Sequence, residues 1–164
     1  MMSRHGLLNV IRWMSRGRHP STPVEARFSQ TVVTDLMTNN PVVAAPDMTL
    51  SHIVNQVFLS RWVSFLPVVE DGLILGTLDS QIFAGIDREH WGSMTANDVF
   101  VVPDWNRLLG ADTCLTSVLD LIDRTGQRKF LVAEDRHLLG VLTMADLNRY
   151  WVQTRLHSQG DALH

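Results

Sequence analysis

The chain has 164 residues, of which 45% are hydrophobic and 19% charged, as in an ordinary globular protein of one domain or two small halves. Its net charge of −3 argues against a dedicated nucleic-acid-binding protein. The single cysteine, Cys114, excludes an internal disulfide framework and fits a reducing compartment, so a cytoplasmic location is expected.

A basic arm is predicted at the N-terminus, over residues 1–29. It contains five arginines and one glutamate, a net charge of +4, so the remaining residues carry −3 − 4 = −7. Within it, the spacing of Leu7, Leu8, Ile11 and Met14 predicts a helix at residues 1–17, followed by a linker. The helix is expected either to pack on the body or a partner chain, or to lie on an anionic membrane.

The next part of the chain, residues 30–92, is predicted to be a first β-α-β-β-α repeat. Its central helix has an apolar face, and Glu70-Asp71-Gly72 predicts a tight hairpin turn. The predicted elements are a turn-forming piece at 31–37, a strand at 41–45, a helix at 50–60, strands at 65–69 and 73–78, and a helix at 80–87.

Residues 93–156 repeat this order, and residues 157–164 are predicted to be a tail. When Gly140 is aligned with Gly76, an offset of 140 − 76 = 64, Glu134-Asp135 falls on Glu70-Asp71. The predicted elements are strands at 107–109, 130–133 and 138–142, and helices at 115–124 and 145–156. A unit of this size buries its sheet poorly alone, so we predict an α+β fold in which two repeats pack with pseudo-two-fold symmetry.

The repeat resembles a pair of cystathionine-β-synthase (CBS) domains, the tandem called a Bateman module. The resemblance covers about residues 30–155 and rests on the order and repetition of several motifs. These are Thr34-Asp35-Leu36-Met37-Thr38, Pro46-Asp47-Met48-Thr49-Leu50, Phe65-Leu66-Pro67-Val68-Val69-Glu70-Asp71-Gly72 and Gly140-Val141-Leu142-Thr143-Met144-Ala145-Asp146.

This resemblance implies a regulatory module that binds AMP, ADP or ATP in the cleft between repeats and controls an attached or partner protein. The family's ribose-binding pattern matches Gly140, Thr143 and Asp146, whereas the first repeat has Asp79 and Ile82 at the last two positions. At most one well-formed nucleotide site per chain is therefore expected. Arg128 and Lys129 stand where the family often places a phosphate-binding cation, although they also fit a solvated turn. Similarly, Asp146 would suit a first helical turn without any ligand.

A narrower resemblance concerns the segment between the repeats. Glu89-His90-Trp91-Gly92-Ser93-Met94-Thr95 through Asp98-Val99-Phe100 is similar to the CBS pairs appended to site-2-protease-like membrane metalloproteases. This resemblance implies a cytosolic regulatory segment of a membrane-associated partner. The HExxH zinc motif of those enzymes does not occur in this sequence.

No catalytic or metal-binding constellation is found in the sequence, so no enzyme activity, required cofactor or metal site is predicted. The seven histidines form no pair at metal-ligand spacing, and there is no P-loop or nucleophile elbow. Trp105 and Trp151, near the repeat junctions, would suit the surface of a homodimer. The alternative to nucleotide sensing is a ligand-free module that supplies dimerisation or interaction.

Overall fold

The computed structural model of the chain describes residues 23–61 and 63–160. The helix predicted at residues 1–17 lies outside the described residues, as do Trp62 and the end of the tail. In chain order the α-helices are α1 (Pro23–Gln30), α2 (Leu50–Ile53), α3 (Leu59–Arg61), α4 (Ala96–Val99), α5 (Leu115–Thr125) and α6 (Met144–Gly160). The strands are β1 (Thr38–Asn39), β2 (Phe65–Glu70), β3 (Leu73–Asp79), β4 (Lys129–Glu134) and β5 (His137–Thr143).

The chain divides into two compact units that alternate along the sequence. Of the described residues, the first unit takes 23–39, Leu109–Val132 and 140–160, and the second takes Asn40–Leu108, without Trp62, and Ala133–Leu139. The two compact units therefore do not coincide with the two predicted repeats. The repeat boundaries at 30–92 and 93–156 stay a prediction. The predicted mixed α+β architecture is confirmed.

The first unit is built on helices α1, α5 and α6. Helix α5 buries Leu115, Val118, Leu119 and Ile122, whose spacing of three and four residues places them on one face. It ends at Gly126, which has a φ of 70° and donates its N–H to the Ile122 carbonyl at 2.8 Å. Glycine reaches this left-handed conformation without the steric cost that a Cβ would bring.

Helix α1 was not anticipated from the sequence, although Pro23 stands at its first position, where proline is favoured. Phe28 of this helix is buried; its ring stacks on Trp151 with ring centroids 5.5 Å apart and contacts Tyr150 at 5.6 Å. The Thr31 hydroxyl also bonds the Tyr150 hydroxyl at 2.7 Å. A single phenylalanine is too weak a periodic signal to predict a helix, but its aromatic partners on α6 are enough to hold one.

The second unit contains the β2–β3 hairpin and an apolar cluster. The hairpin turn has positive φ angles at Asp71 (52°) and Gly72 (83°), as a two-residue turn requires. Leu66, Val68 and Leu78 of the hairpin are fully buried against Leu50 and Ile53 of α2. A π-helical turn at Val54–Phe58 joins α2 to α3.

Both units hold a glycine against a segment that lies near the start of a predicted repeat. In the first unit, a Cβ on Gly140 would lie 2.6 Å from Met37 Sδ and 2.8 Å from the Thr38 carbonyl oxygen. In the second, a Cβ on Gly76 would overlap the Phe100 ring and lie 2.9 Å from the Val101 carbonyl oxygen. The aligned glycines are therefore explained by close backbone approach, whatever the protein binds.

Two of the predicted strands were wrong. The piece at 41–45 makes a single bridge, from Ala44 to Val68, and the piece at 107–109 makes a single bridge, from Leu109 to Val132. Proline at position 41 and glycine at position 110 limit how far either ladder can extend. The helix predicted at 80–87 is a 3₁₀-helix at Ser80–Gly85, and the final helix is longer than predicted.

Candidate functional site

The start of α6 places Asp146 in the interior of the first unit. The residue is 4% exposed, which is unusual for a carboxylate unless its oxygens are bonded. Its Oδ2 accepts hydrogen bonds from the Thr143 backbone N–H at 2.9 Å and from the Thr143 hydroxyl at 3.0 Å. Asp146 is the third residue of α6, and its side chain bonds Thr143, the residue just before the helix. This contact stabilises the start of α6.

The second carboxylate oxygen of Asp146 is held by side chains from two other positions. Its Oδ1 accepts from the Thr38 hydroxyl at 3.3 Å and from Arg149 Nη2 at 3.2 Å. Thr38 comes from β1, which pairs with β5 through Thr38↔Val141 and Asn39↔Gly140. Arg149 lies one helical turn beyond Asp146, where side chains three apart meet. Both bonds are longer than those to Oδ2, so Oδ1 is the more weakly held oxygen.

The three residues predicted to bind ribose are close together in the first unit. Thr143 bonds Asp146 directly, and Gly140 lies on β5 against Met37 and Thr38. However, each also has a structural role, because Gly140 permits the close approach of β1 and the Thr143–Asp146 pair caps α6. The identity of these three residues is therefore explained by the fold as well as by ligand binding.

The equivalent positions in the second unit show how the fold is built without such a site. In the second unit, Val101 stands where Thr38 stands and pairs with Thr77 as Thr38 pairs with Val141. Ile82 stands where Asp146 stands and packs on the apolar cluster. Asp79 accepts from the Gln81 N–H at 3.1 Å and caps the 3₁₀-helix. The second unit thus has two apolar residues at the positions of Thr38 and Asp146, and a 3₁₀-helix at the position where α6 begins.

The two predicted phosphate contacts lie at the start of β4, also in the first unit. Arg128 is exposed, and Lys129 is half-buried as the first residue of the strand. The Gln127 side chain donates to the Lys129 carbonyl at 2.9 Å, which fixes the backbone at this point.

One group of potential metal ligands occurs in the described part of the chain, and no sequence spacing had indicated it. Ligand atoms of Asp87, Glu89 and His90 lie within 4.8 Å of one another, and all three residues are exposed. An open surface cavity of about 360 Å³ beside them is lined by Phe83, Ala84, Ile86, Asp87, Arg88 and Trp91. Exposed carboxylates commonly occur without an ion, so this group is not taken as the functional site.

Comparison with known proteins identifies the class of fold. Residues 33–81 match the family model of the CBS domain. The structure of CBSX2 in complex with AMP aligns with a TM-score of 0.65 and 21% identity, over 76% of this chain and 98% of that one. The CBS domain of the bacterial CNNM/CorC family Mg²⁺ transporter in complex with ATP aligns with a TM-score of 0.64 and 18% identity, over 75% of this chain and 88% of that one. The chain therefore has the fold of a CBS domain pair.

The more particular relationship is to a curated zinc metalloprotease of Methanocaldococcus jannaschii. It is 27% identical to this chain over 126 residues, which are 77% of the chain and 34% of the protease. The chain thus spans about a third of the length of that relative. This similarity agrees with the resemblance to CBS pairs of membrane metalloproteases. In the described residues, no helix is both long enough and apolar enough to cross a membrane.

Sequence reasoning missed two residues of the site, Thr38 and Arg149. Arg149 was open to prediction, because an arginine three residues after an aspartate on a helix commonly pairs with it. Thr38 lies 108 positions from Asp146, and the β1–β5 pairing that joins them is a tertiary feature. Thr38 aligns with Val101 at an offset of 101 − 38 = 63, and a comparison of these two residues would have drawn attention to Thr38.

Proposed function

We propose that the chain is a regulatory module that binds an adenine nucleotide beside Asp146 and controls an attached or partner protein. The observation that carries the proposal is the difference between the two aligned positions. Thr38 and Asp146 form a polar pair in the first unit, where the second unit has Val101 and Ile82. Oδ2 of Asp146 caps α6, whereas the bond between Oδ1 and Thr38 has no equivalent between Val101 and Ile82, and this difference supports recognition of a ligand at Oδ1.

The chemistry of the pair suits a ribose. A carboxylate accepts hydrogen bonds from both hydroxyls of a vicinal diol, and the neighbouring Thr38 hydroxyl can donate or accept. Asp146 Oδ1 faces the exposed Thr38 and Arg149, whereas Oδ2 is committed to the start of α6. We therefore assign Oδ1 as the ribose-binding atom. AMP and ATP in the two similar CBS structures have the ribose and the adenine in common.

Control of another protein is the second part of the proposal. The similarity to a third of a zinc metalloprotease supports a protease-like partner or attached domain, associated with a membrane. A ligand that favours one arrangement of the chain over another would shift the arrangement that the partner contacts. We assign no catalytic step, required cofactor or nucleic-acid partner to the chain itself.

A homodimer is also part of the proposal, and light scattering measures it.

Titration calorimetry with AMP, ADP and ATP tests the binding proposal directly. We expect one site per chain, with GMP as a control for recognition of the base. Binding of none of the three adenine nucleotides at millimolar concentration would contradict the proposal. That result would favour the alternative, a ligand-free module for dimerisation or interaction.

The proposed phosphate contacts give a separate prediction. Neutralising Arg128 or Lys129 (Arg128→Gln, Lys129→Gln) should weaken ATP binding roughly tenfold, because a charge-assisted hydrogen bond to phosphate is lost. Adenosine binding should be unchanged, and the effect on ATP should shrink at high salt. Arg124→Gln is the matched control, since the Arg124 guanidinium pairs with Asp120 at 2.9 Å. An equal loss of ATP and adenosine affinity would assign Arg128 and Lys129 a structural role instead.

A further inference from the structure

The hydrogen bonds of Asp146 Oδ1 have a consequence for which adenosine compounds the site accepts; this reasoning rests on the proposed function. A carboxylate oxygen has two lone pairs. Thr38 and Arg149 provide two donors to Oδ1, at 3.3 and 3.2 Å. An incoming ribose hydroxyl must therefore replace at least one of these donors before it can bond Oδ1.

Arg149 is the donor that is easier to displace. The Arg149 side chain is 63% exposed, whereas that of Asp146 is 3% exposed. Water can therefore hydrate the guanidinium as soon as it moves away from Asp146. An ion pair with one exposed partner three residues away on a helix contributes little net free energy. Thr38 is instead fixed by the pairing of β1 with β5, and its hydroxyl can rotate to bond a ligand while staying in place.

We infer that Arg149 is a specificity-determining residue that makes the site favour phosphorylated over unphosphorylated adenosine ligands. For adenosine, Arg149 is simply a competitor for Oδ1. For a ligand with a phosphate, the released guanidinium remains tethered to the first turns of α6 beside the ribose. Its planar donors then pair with the phosphate oxygens, which offsets the bond that was given up.

The test compares the dissociation constants of adenosine and AMP for the wild-type chain and for Arg149→Met. Methionine keeps the length and apolar stem of the side chain but removes the competing charge. Adenosine should bind the variant about two- to fivefold more tightly, because the ion pair no longer competes. AMP should bind about fivefold more weakly, because its phosphate loses a partner. The ratio of the two dissociation constants should therefore fall roughly tenfold or more.

Two further variants separate a local effect from a general change of charge. Arg155→Met removes another exposed arginine of α6, which lies over the Trp151 ring at 5.5 Å, and should leave the ratio unchanged. Arg149→Lys keeps the charge without the planar fork, so its ratio should lie between those of the wild type and Arg149→Met.

The outcomes distinguish this inference from the function on which it depends. If the wild-type chain binds neither ligand, the proposed function fails. If it binds AMP but Arg149→Met changes both affinities by the same factor, Arg149 merely orients Asp146, and the inference alone is overturned. An equal fall of the ratio in Arg155→Met would also overturn it.

Discussion

Replacing Asp146 by alanine (Asp146→Ala) is expected to lower the free energy of unfolding by about 2–4 kcal/mol, in addition to any effect on binding. The Thr143 N–H and hydroxyl at the start of α6 would both lose their acceptor. Thr38 and Arg149 would lose theirs as well. Because the position is 4% exposed, water can replace these bonds only after local rearrangement. Urea denaturation followed by circular dichroism measures the loss.

The expected instability means that Asp146→Ala cannot by itself test the ribose assignment. Asp146→Asn is the sharper variant, because its amide oxygen can still accept from Thr143 while the negative charge is lost. We expect it to cost about 1 kcal/mol in stability and to weaken adenine-nucleotide binding roughly thirtyfold. Calorimetry at a temperature where the variant is fully folded gives the affinity.

Asp79→Ala is the matched control in the second unit. Asp79 also caps a helical segment, by accepting from the Gln81 N–H at 3.1 Å. Asp79→Ala should lower the free energy of unfolding by about 1 kcal/mol and leave nucleotide binding unchanged. If Asp146→Asn binds nucleotide as tightly as the wild type, the ribose role of Asp146 is wrong even where binding is real. If Asp146→Ala is as stable as the wild type, the bonds to Thr143 do not support α6.

Alanine at Gly76 or Gly140 should destabilise the chain by about 2–3 kcal/mol in each case, because a new methyl group would overlap backbone that is already in contact. At Gly140 the methyl would lie 2.8 Å from the Thr38 carbonyl oxygen, and at Gly76 it would lie 2.9 Å from the Val101 carbonyl oxygen. Backbone atoms cannot move aside as the end of a flexible side chain can. The midpoint of urea denaturation reports both losses.

The two glycine variants should differ in ligand binding. Gly140→Ala would push Thr38 away from Asp146 Oδ1 and should weaken nucleotide binding as well as stability. Gly76→Ala lies in the second unit and should leave the affinity of the folded fraction unchanged. Gly85→Ala and Gly92→Ala are controls, since no heavy atom lies within 4 Å of their added Cβ. If Gly76→Ala and Gly140→Ala each lower the free energy of unfolding by less than about 0.5 kcal/mol, the segments in contact with these glycines can move apart at little cost.

Local features of the fold were predictable because they depend on residues close in sequence. The two hairpins and the helix following residue 114 were predicted within one or two residues of their observed bounds. The single helix predicted at 50–60 is observed as α2, a π-helical turn and α3 over residues 50–61. The two predicted strands at 41–45 and 107–109 failed because β propensity cannot tell a single bridge from a ladder. Helix α1 was missed because its stability comes from Phe28 contacting Tyr150 and Trp151, far along the chain.

By itself, the sequence predicted a duplication and showed that Ile82 stands where Asp146 stands in the second copy. Its resemblance to a known family, carried by motif order and repetition, predicted the fold of a CBS pair. The tertiary structure decided what surrounds Asp146, because β1–β5 pairing brings Thr38 to a carboxylate 108 residues away. It also showed that Gly140 and Gly76 are required by close backbone contacts. Such contacts join positions whose separation leaves no periodic signal in the sequence, so only the folded chain could reveal that Oδ2 of Asp146 bonds the start of α6 while Oδ1 bonds Thr38 and Arg149.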